Sequence, residues 1–434
     1  MSDAAAPASG SEPAGPPDPV ARPLRIVIGA DTFPPEINGS ARFSSVLAGQ
    51  LARRGHDVHV VAPSATGRPV THTEVFEGAD VTVHRLRSWR WYPHPWLRFA
   101  LPWRIEQNAA RILDEVRPDV VHFQSHIVTG RGLSHQAQLR GIRLIGTNHV
   151  MPENLIEHSP IPKRLHAWAY RMFWDAAARS YTRAAVLTSP TRRAADFLEK
   201  YIRVSGVLAL SNGVVMSNYT PVIAPRSDRL ILFVGRITGE KRLEVLLDAF
   251  AKLDPSLGAR LELVGGGEGE GHLRAYARRL GVGDRVTITG YVSEEYLREA
   301  YTRAAVFAMP STAELQSIAT MEAMASALPV VGADAMALPH LVHDGENGYL
   351  FEPDNADDLA ARLTDVLTAE PAEYERMQRE SLRIVTDHDI ATTVSTFEAI
   401  YRGEQVSDTI KEPPPPRKVR ASLQALREKL SRGE

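Results

Sequence analysis

Short apolar runs alternating with amphipathic stretches of helical length, in two successive series, narrow sharply the folds open to this chain. In the first half LRIVIGA from Leu24, DVHVVAP from Asp57, DVVHF from Asp119, IRLIGTN from Ile142 and AAVLTSP from Ala184 are largely apolar. Strands covered by helices on both faces read this way, whereas a strand with one wet face alternates. A second series follows: LILFVGR from Leu230, ARLELVGGG from Ala259, RVTITG from Arg285, AAVFAMP from Ala304 and LPVVGAD from Leu328. The expected fold is α/β, with two doubly wound, Rossmann-like domains facing a central cleft that takes a ligand between strand ends. A length of 434 residues also exceeds what one core usually organises.

Composition sets the boundaries. Residues 1–22, rich in Ala, Pro, Ser and Gly, lack the basic start and apolar run of a signal peptide and read as a disordered tail. An N-terminal domain is expected over 23–213, an aperiodic Pro-containing linker over 214–228 and a C-terminal domain over 229–386. Residues 387–403 read as a terminal amphipathic helix capped by Asp387 or Asp389, and capping accounts for this acidic pair better than metal binding does. In the basic tail, 404–434, four prolines precede Leu423, Leu426 and Leu430 among Arg and Lys, which fits either a solvated tail or an electrostatic membrane contact. A formal net charge of -2 argues against a nucleic-acid partner, and the lack of cysteine excludes disulfides, thiolate metal ligands and a cysteine nucleophile. No apolar run approaches the roughly 20 residues that span a bilayer, so the expected location is cytoplasmic, peripheral on the inner face of the plasma membrane.

The chemistry concentrates in PSTAELQSIATMEAMASALPVVGAD, from Pro310 to Asp334. A helix starting near Gln316 places free N–H groups beside Glu314, ready for a diphosphate, with Glu322 about 8 Å further along the axis. One carboxylate then meets a hexose and the other a ribose. A lone Glu at a helix start is ordinarily explained by the helix dipole. The whole run, however, resembles the donor-site signature of the retaining glycosyltransferases of family 4, with glutamates at Glu314 and Glu322 before an Ala-Met-Ala-Ser helix and a Pro-Val-Val strand. FVGRITGEKRLEVLLDAF, from Phe233, resembles the same family's cationic element, with Arg236 at a strand end and Lys241 five residues on.

This resemblance, closest in kind to glycolipid-forming glucosyl- and mannosyltransferases of actinobacteria, runs from about Leu24 to Gly403. It implies the two-domain GT-B fold and transfer of a hexose, with retention, from a nucleotide diphosphate sugar such as UDP-glucose or GDP-mannose. It implies that Arg236 and Lys241 neutralise the diphosphate without a metal or other cofactor, that Glu314 orients the hexose, and that Gln316, Ser317, Ile318 and Glu322 complete the donor site. The glycine-rich VGGGEGEG lacks a GxGxxG pattern and resembles the family's Val-Gly-x-Gly loop, so that Gly265 and Gly267 admit backbone close to phosphate or base. Asn38, Gly39 and Ser40 open the first domain's helix toward the donor phosphate or the acceptor, Ser40 departing mildly from the family pattern. A second departure is Leu315 to Ile318, where relatives usually carry a Gly. On the acceptor side the resemblance points to His149 and Glu153, and to His122 or His126, with His126 shaping the pocket and Gln124 standing where the family often has a second His.

All six tryptophans lie between Trp89 and Trp174, in RLRSWRWYPHPWLRFALPWR and PKRLHAWAYRMFW. Rings interleaved with Arg and Lys suit a lipid headgroup region, so the expected acceptor is a membrane lipid. A soluble small-molecule acceptor and a nucleotide-sugar epimerase on the same architecture are the alternatives.

Overall fold

A computed structural model describes residues 22–90, 98–150 and 161–410 of the chain. The first domain runs β1 (Arg25–Gly29), α1 (Gly39–Arg53), β2 (Asp57–Pro63), β3 (Val70–Phe76), β4 (Ala79–Leu86), β5 (Ser88–Arg90), β6 (Arg98–Ala100), α2 (Ile105–Val116) and β7 (Val120–Phe123). It continues through α3 (Thr129–Leu139), β8 (Arg143–Thr147), α4 (His166–Tyr181), β9 (Val186–Ser189), α5 (Arg192–Ile202) and β10 (Leu208–Ala209). Its main sheet has the order β10-β9-β8-β7-β1-β2-β4-β3, parallel except where β3 folds back antiparallel on β4. Successive residues of β1 serve opposite cores: Ile26 and Ile28 pack beneath α1, while Val27 faces the cluster that holds Leu113, Leu133 and Trp174. That period of two is what a strand covered on both faces requires.

The second domain runs β11 (Leu230–Val234), α6 (Leu243–Lys252), β12 (Arg260–Val264), α7 (Glu270–Arg279), β13 (Val286–Gly290), α8 (Glu294–Arg303) and β14 (Val306–Met309). After these come α9 (Ile318–Ala325), β15 (Val330–Ala333), α10 (Leu338–Leu341), β16 (Gly348–Phe351), α11 (Ala356–Leu367) and α12 (Pro371–Thr386). The sheet is wholly parallel, in the order β13-β12-β11-β14-β15-β16. The expected pair of doubly wound domains is therefore present, and each sheet reverses its strand order once, at β1/β7 and at β11/β14. Loops leaving such paired strands part in opposite directions and open a crevice at their carboxyl ends.

The last helix, α13 (Ile390–Arg402), does not stay with the domain that precedes it. Its Ile390, Val394, Phe397, Ile400 and Tyr401 are buried with Ile26, Ile28 and Leu47 of the first domain. Asp389 caps it, accepting from Ala391 N–H at 2.6 Å. The chain thus crosses between domains twice, and the crossings pair: Val214 N–H donates to His388 O at 2.8 Å and Ile390 N–H to Val214 O at 3.0 Å. Among the described residues no helix is long and apolar enough to cross a membrane. The tails before residue 22 and after 410 lie outside the described residues, as do Trp91, Trp96 and Glu153.

Candidate active site

The loops at the carboxyl ends of both sheets face one another across a cleft of about 510 Å³. Gly39, Ser40, His149, Arg236, Lys241, Gly265, Glu314, Gln316, Ser317, Ile318 and Glu322, all singled out from the sequence, line it together. On the second-domain side Lys241 is ion-paired with Glu314, both largely buried, and Arg236 Nη2 donates to Glu240 Oε1 at 3.2 Å. Thr312 N–H and Ser311 Oγ both bond to Glu240 O, at 3.4 and 3.3 Å, tying the loop after β14 to the loop after β11. Ser317 is the N-cap of α9, its Oγ accepting from Thr320 N–H at 3.4 Å. The first N–H groups of that helix open beside Glu314, a setting that favours anions.

Gly265 reaches the cleft with φ 133°, and a Cβ there would lie 2.0 Å from Gly235 O. Gly267 does not line the cleft: its absent Cβ makes room for Ile237 O, so this glycine packs one loop on another instead of admitting a ligand. Gln316 lines the cleft, but its amide is engaged elsewhere. Oε1 accepts from Asn212 N–H at 2.8 Å and Nε2 donates to Ser211 Oγ at 3.0 Å, which pins α9 to the interdomain crossing. Thr191 Oγ1 adds a bond to Leu315 O at 3.1 Å. The departure at Leu315 to Ile318 is thus a docking surface for the first domain, and Ile318 packs against both cores.

The histidines separate. His149 lines the cleft, where Gln124 Oε1 accepts from its Nε2 at 2.9 Å, and burial pushes the ring's pKa down to about 3. That bond fixes a neutral tautomer with Nδ1 unprotonated. His122 and His126 do not reach the cleft. His122 is fully buried between Tyr401 Oη and Thr147 Oγ1, each 2.7 Å from a ring nitrogen, and serves the junction with α13. His126 sits between Phe173 and Tyr181, with ring centroids 4.6 and 5.4 Å away, and burial alone lowers its pKa to about 3. Its neighbours Ser125 and Ile127 line the cleft, whereas His126 packs on the two rings away from it.

Sequence reasoning missed two groups. Asp31, at the end of β1, accepts from Ser125 Oγ at 2.5 Å and from Val128 and Thr129 N–H at 3.1 and 2.7 Å, so it holds the loop that precedes α3. Arg42, in the opening turns of α1, crosses the cleft to Glu322, with Nη2 2.8 Å from Oε1. Nothing local marks Arg42; only the Asn38 cap places it on a helix end that faces the second domain. Chemically, the cleft offers cations and a helix N-terminus to a polyanion and two buried carboxylates to hydroxyl groups.

Residues 37–217 match glycosyltransferase family 4, and residues 221–383 match glycosyl transferases group 1. Over 372 residues the chain is 28% identical to the sulfoquinovosyl transferase SQD2 of Arabidopsis thaliana, covering 81% of this chain and 68% of that protein. Over 407 residues it is 24% identical to the alpha-monoglucosyldiacylglycerol synthase of Streptococcus pneumoniae, covering 90% and 89%. The structure of sucrose-phosphate synthase from Thermosynechococcus elongatus superimposes with a TM-score of 0.71 at 19% identity, covering 87% of this chain and 99% of that one, a likeness of fold.

Proposed function

The chain belongs to the glycosyltransferases of the GT-B type, a family 4 domain joined to a group 1 domain, and on that premise we propose that it moves a hexose, with retention, from UDP-glucose or GDP-mannose to a hydroxyl of a membrane lipid. The observation that carries this reading is the gathering of Arg236, Lys241, Glu314, Glu322 and the start of α9 on one wall of the cleft, opposite the first domain. The donor diphosphate draws Lys241 away from Glu314 and lies between Lys241, Arg236 and the first N–H groups of α9. Glu314, released, accepts from hexose hydroxyls, and Glu322 accepts from the ribose. An acceptor hydroxyl enters from the His149 side, on the face of the sugar from which phosphate leaves. The C1–O bond to phosphate breaks, the bond from C1 to the acceptor oxygen forms, and the acceptor proton passes to the departing phosphate oxygen. The cations stabilise the charge that develops on the leaving group, so this chemistry asks for no metal.

Support for a lipid acceptor comes from the first domain. Trp174 is core, stacked on Tyr201 at 4.7 Å, whereas Trp103 and Trp168 are 68% and 58% exposed. Leu165, just before α4, and Trp168 and Met172 within it follow one another at helical spacing and are all exposed, with Lys163 and Arg164 ahead of them and Arg171 between the last two. An apolar strip flanked by cations suits an anionic bilayer surface, and the Streptococcus pneumoniae relative carries a diacylglycerol in its name.

The test is incubation with labelled UDP-glucose or GDP-mannose and anionic vesicles containing diacylglycerol, followed by flotation. Label floats with the vesicles for the parent protein, and Lys241→Ala lowers transfer by roughly 10²–10³-fold or more, the range for removing one preorganised charge stabiliser. Consumption of donor with all label in the soluble fraction overturns the lipid acceptor; near-normal turnover by Lys241→Ala overturns the donor-site assignment.

A further inference from the structure

Glu322 is 4% exposed, and its oxygens are approached from both domains. Tyr301 Oη, from α8 of the second domain, donates to Oε2 at 2.9 Å, and Arg42 Nη2, from α1 of the first, lies 2.8 Å from Oε1. The same guanidinium reaches a second carboxylate of the second domain: its Nη1 donates to Glu294 Oε1 at 2.8 Å. Arg42 is therefore a fork whose tines rest on two acidic groups across the cleft. A buried carboxylate with one charged partner removed either takes a proton or swings toward water. Either response would deprive a vicinal diol of a fixed, charged acceptor. Tyr301 and Tyr219, whose hydroxyls also reach Glu322, are neutral donors and do not replace the lost charge.

We propose that Arg42 is a positioning residue for the donor nucleotide: it holds Glu322 aimed into the cleft, so that the grip on the ribose is complete only when the first domain has closed on the second. This rests on the reading of Glu322 as the ribose ligand. It makes donor affinity a property of both domains, although the groups that touch the nucleotide through Glu322 belong to one. Because the ribose is common to UDP and GDP, the effect is independent of the base.

The experiment is titration calorimetry with UDP and with GDP, together with steady-state kinetics in the nucleotide sugar, on the parent, Arg42→Ala, Arg42→Lys, Glu322→Ala and the double variant Arg42→Ala with Glu322→Ala. Arg42→Ala is expected to raise the nucleotide Kd and the donor KM by roughly 10- to 100-fold, the range for losing a bond to a charged group, while kcat falls only a few-fold. Arg42→Lys, which keeps the charge and loses the fork, recovers part of the affinity. In the Glu322→Ala background Arg42→Ala adds little, because the two residues act through one contact. Should Arg42→Ala fold poorly, Arg42→Lys carries the test, with a KM raised several-fold at unchanged unfolding midpoint. Nucleotide binding that is unchanged or tightened in Arg42→Ala, while Glu322→Ala binds weakly, overturns the proposal and leaves the ribose assignment standing. Parent-like binding by Glu322→Ala overturns that assignment itself.

Discussion

At the scale of single residues the cleft depends on backbone shapes that only certain side chains permit. Gly265 occupies φ 133° with Gly235 O only 2.0 Å from where a Cβ would stand. Gly265→Ala must force β12 and the loop after β11 apart, and a positive-φ alanine alone costs about 1–3 kcal/mol. We expect a lower urea midpoint by at least that equivalent and weaker nucleotide binding, both measurable on purified protein; an unchanged midpoint excludes a tight role for this turn. Gly265 was legible from sequence because a glycine-rich stretch followed an apolar run. Gly267, three letters from the same run, was misassigned because composition cannot tell a glycine that admits a ligand from one that admits a neighbouring carbonyl. Arg236, Lys241, Glu314 and Glu322 were legible because the runs that carry them resemble a family signature; their spacing alone did not single them out. Arg42 and Glu322 are separated by 280 positions, so their contact exists only once both domains are placed. His126 was misread because it sits between cleft-lining residues, and the direction of a side chain in an irregular loop leaves no periodic trace.

Among the elements, α13 binds sequence distance to structure most directly. Phe397 is 1% exposed and packs against His122, with ring centroids 4.9 Å apart, and against Phe43 at 6.1 Å. Truncating a buried phenylalanine typically costs about 3–5 kcal/mol. Phe397→Ala is therefore expected to destabilise the first domain, although the residue lies almost at the end of the second domain's sequence. Hydrogen exchange locates the effect: amides of β1 and β7 should lose protection, and loss confined to the second domain would contradict the packing. The sequence's periodicity revealed that α13 is a helix with an apolar face and Asp389 as one of two capping candidates. It carried no information on which sheet that face covers, since either domain presents an apolar surface. Five strands of each sheet were legible for the opposite reason: each run, largely apolar, leaves little choice of environment, whereas β4, parallel to β2 and reading ADVTVHRL, was not expected. The two residues of β10, the antiparallel β3, whose Thr71 and Thr73 face solvent, and the four-residue β16 were too short or too polar to stand out.

The whole molecule carries an unusual store of buried, uncharged histidine, and this sets its response to acid. Burial lowers His122, His126, His149 and His340 to about 3, and His84 and His388 to about 4, from an ordinary 6.5. Between those values the unfolded chain binds protons that the folded chain refuses, so stability is full above pH 6.5 and falls as pH drops toward 4. Two buried carboxyls act in the opposite sense: burial raises Glu36 to about 7, so the folded state holds a proton there that the unfolded chain releases above 4.5, and burial raises Asp31 as well, so acidification favours folding at both. Six histidines outweigh two carboxyls. From pH 7 to 5.5 each histidine withdraws about 1 kcal/mol, so the urea midpoint should fall steadily over that interval and level off above neutrality. His126 gives the sharpest check, because its Nδ1 lacks a hydrogen-bond partner and its neighbours are aromatic, so an apolar replacement sacrifices no bond at that atom. His126→Leu should flatten the pH dependence by about one proton's share, leave the nucleotide affinity intact, and so separate a histidine that limits acid stability from His149, which faces the cleft. A slope unchanged by this substitution would mean that His126 is charged in the folded protein, against its burial between two aromatic rings.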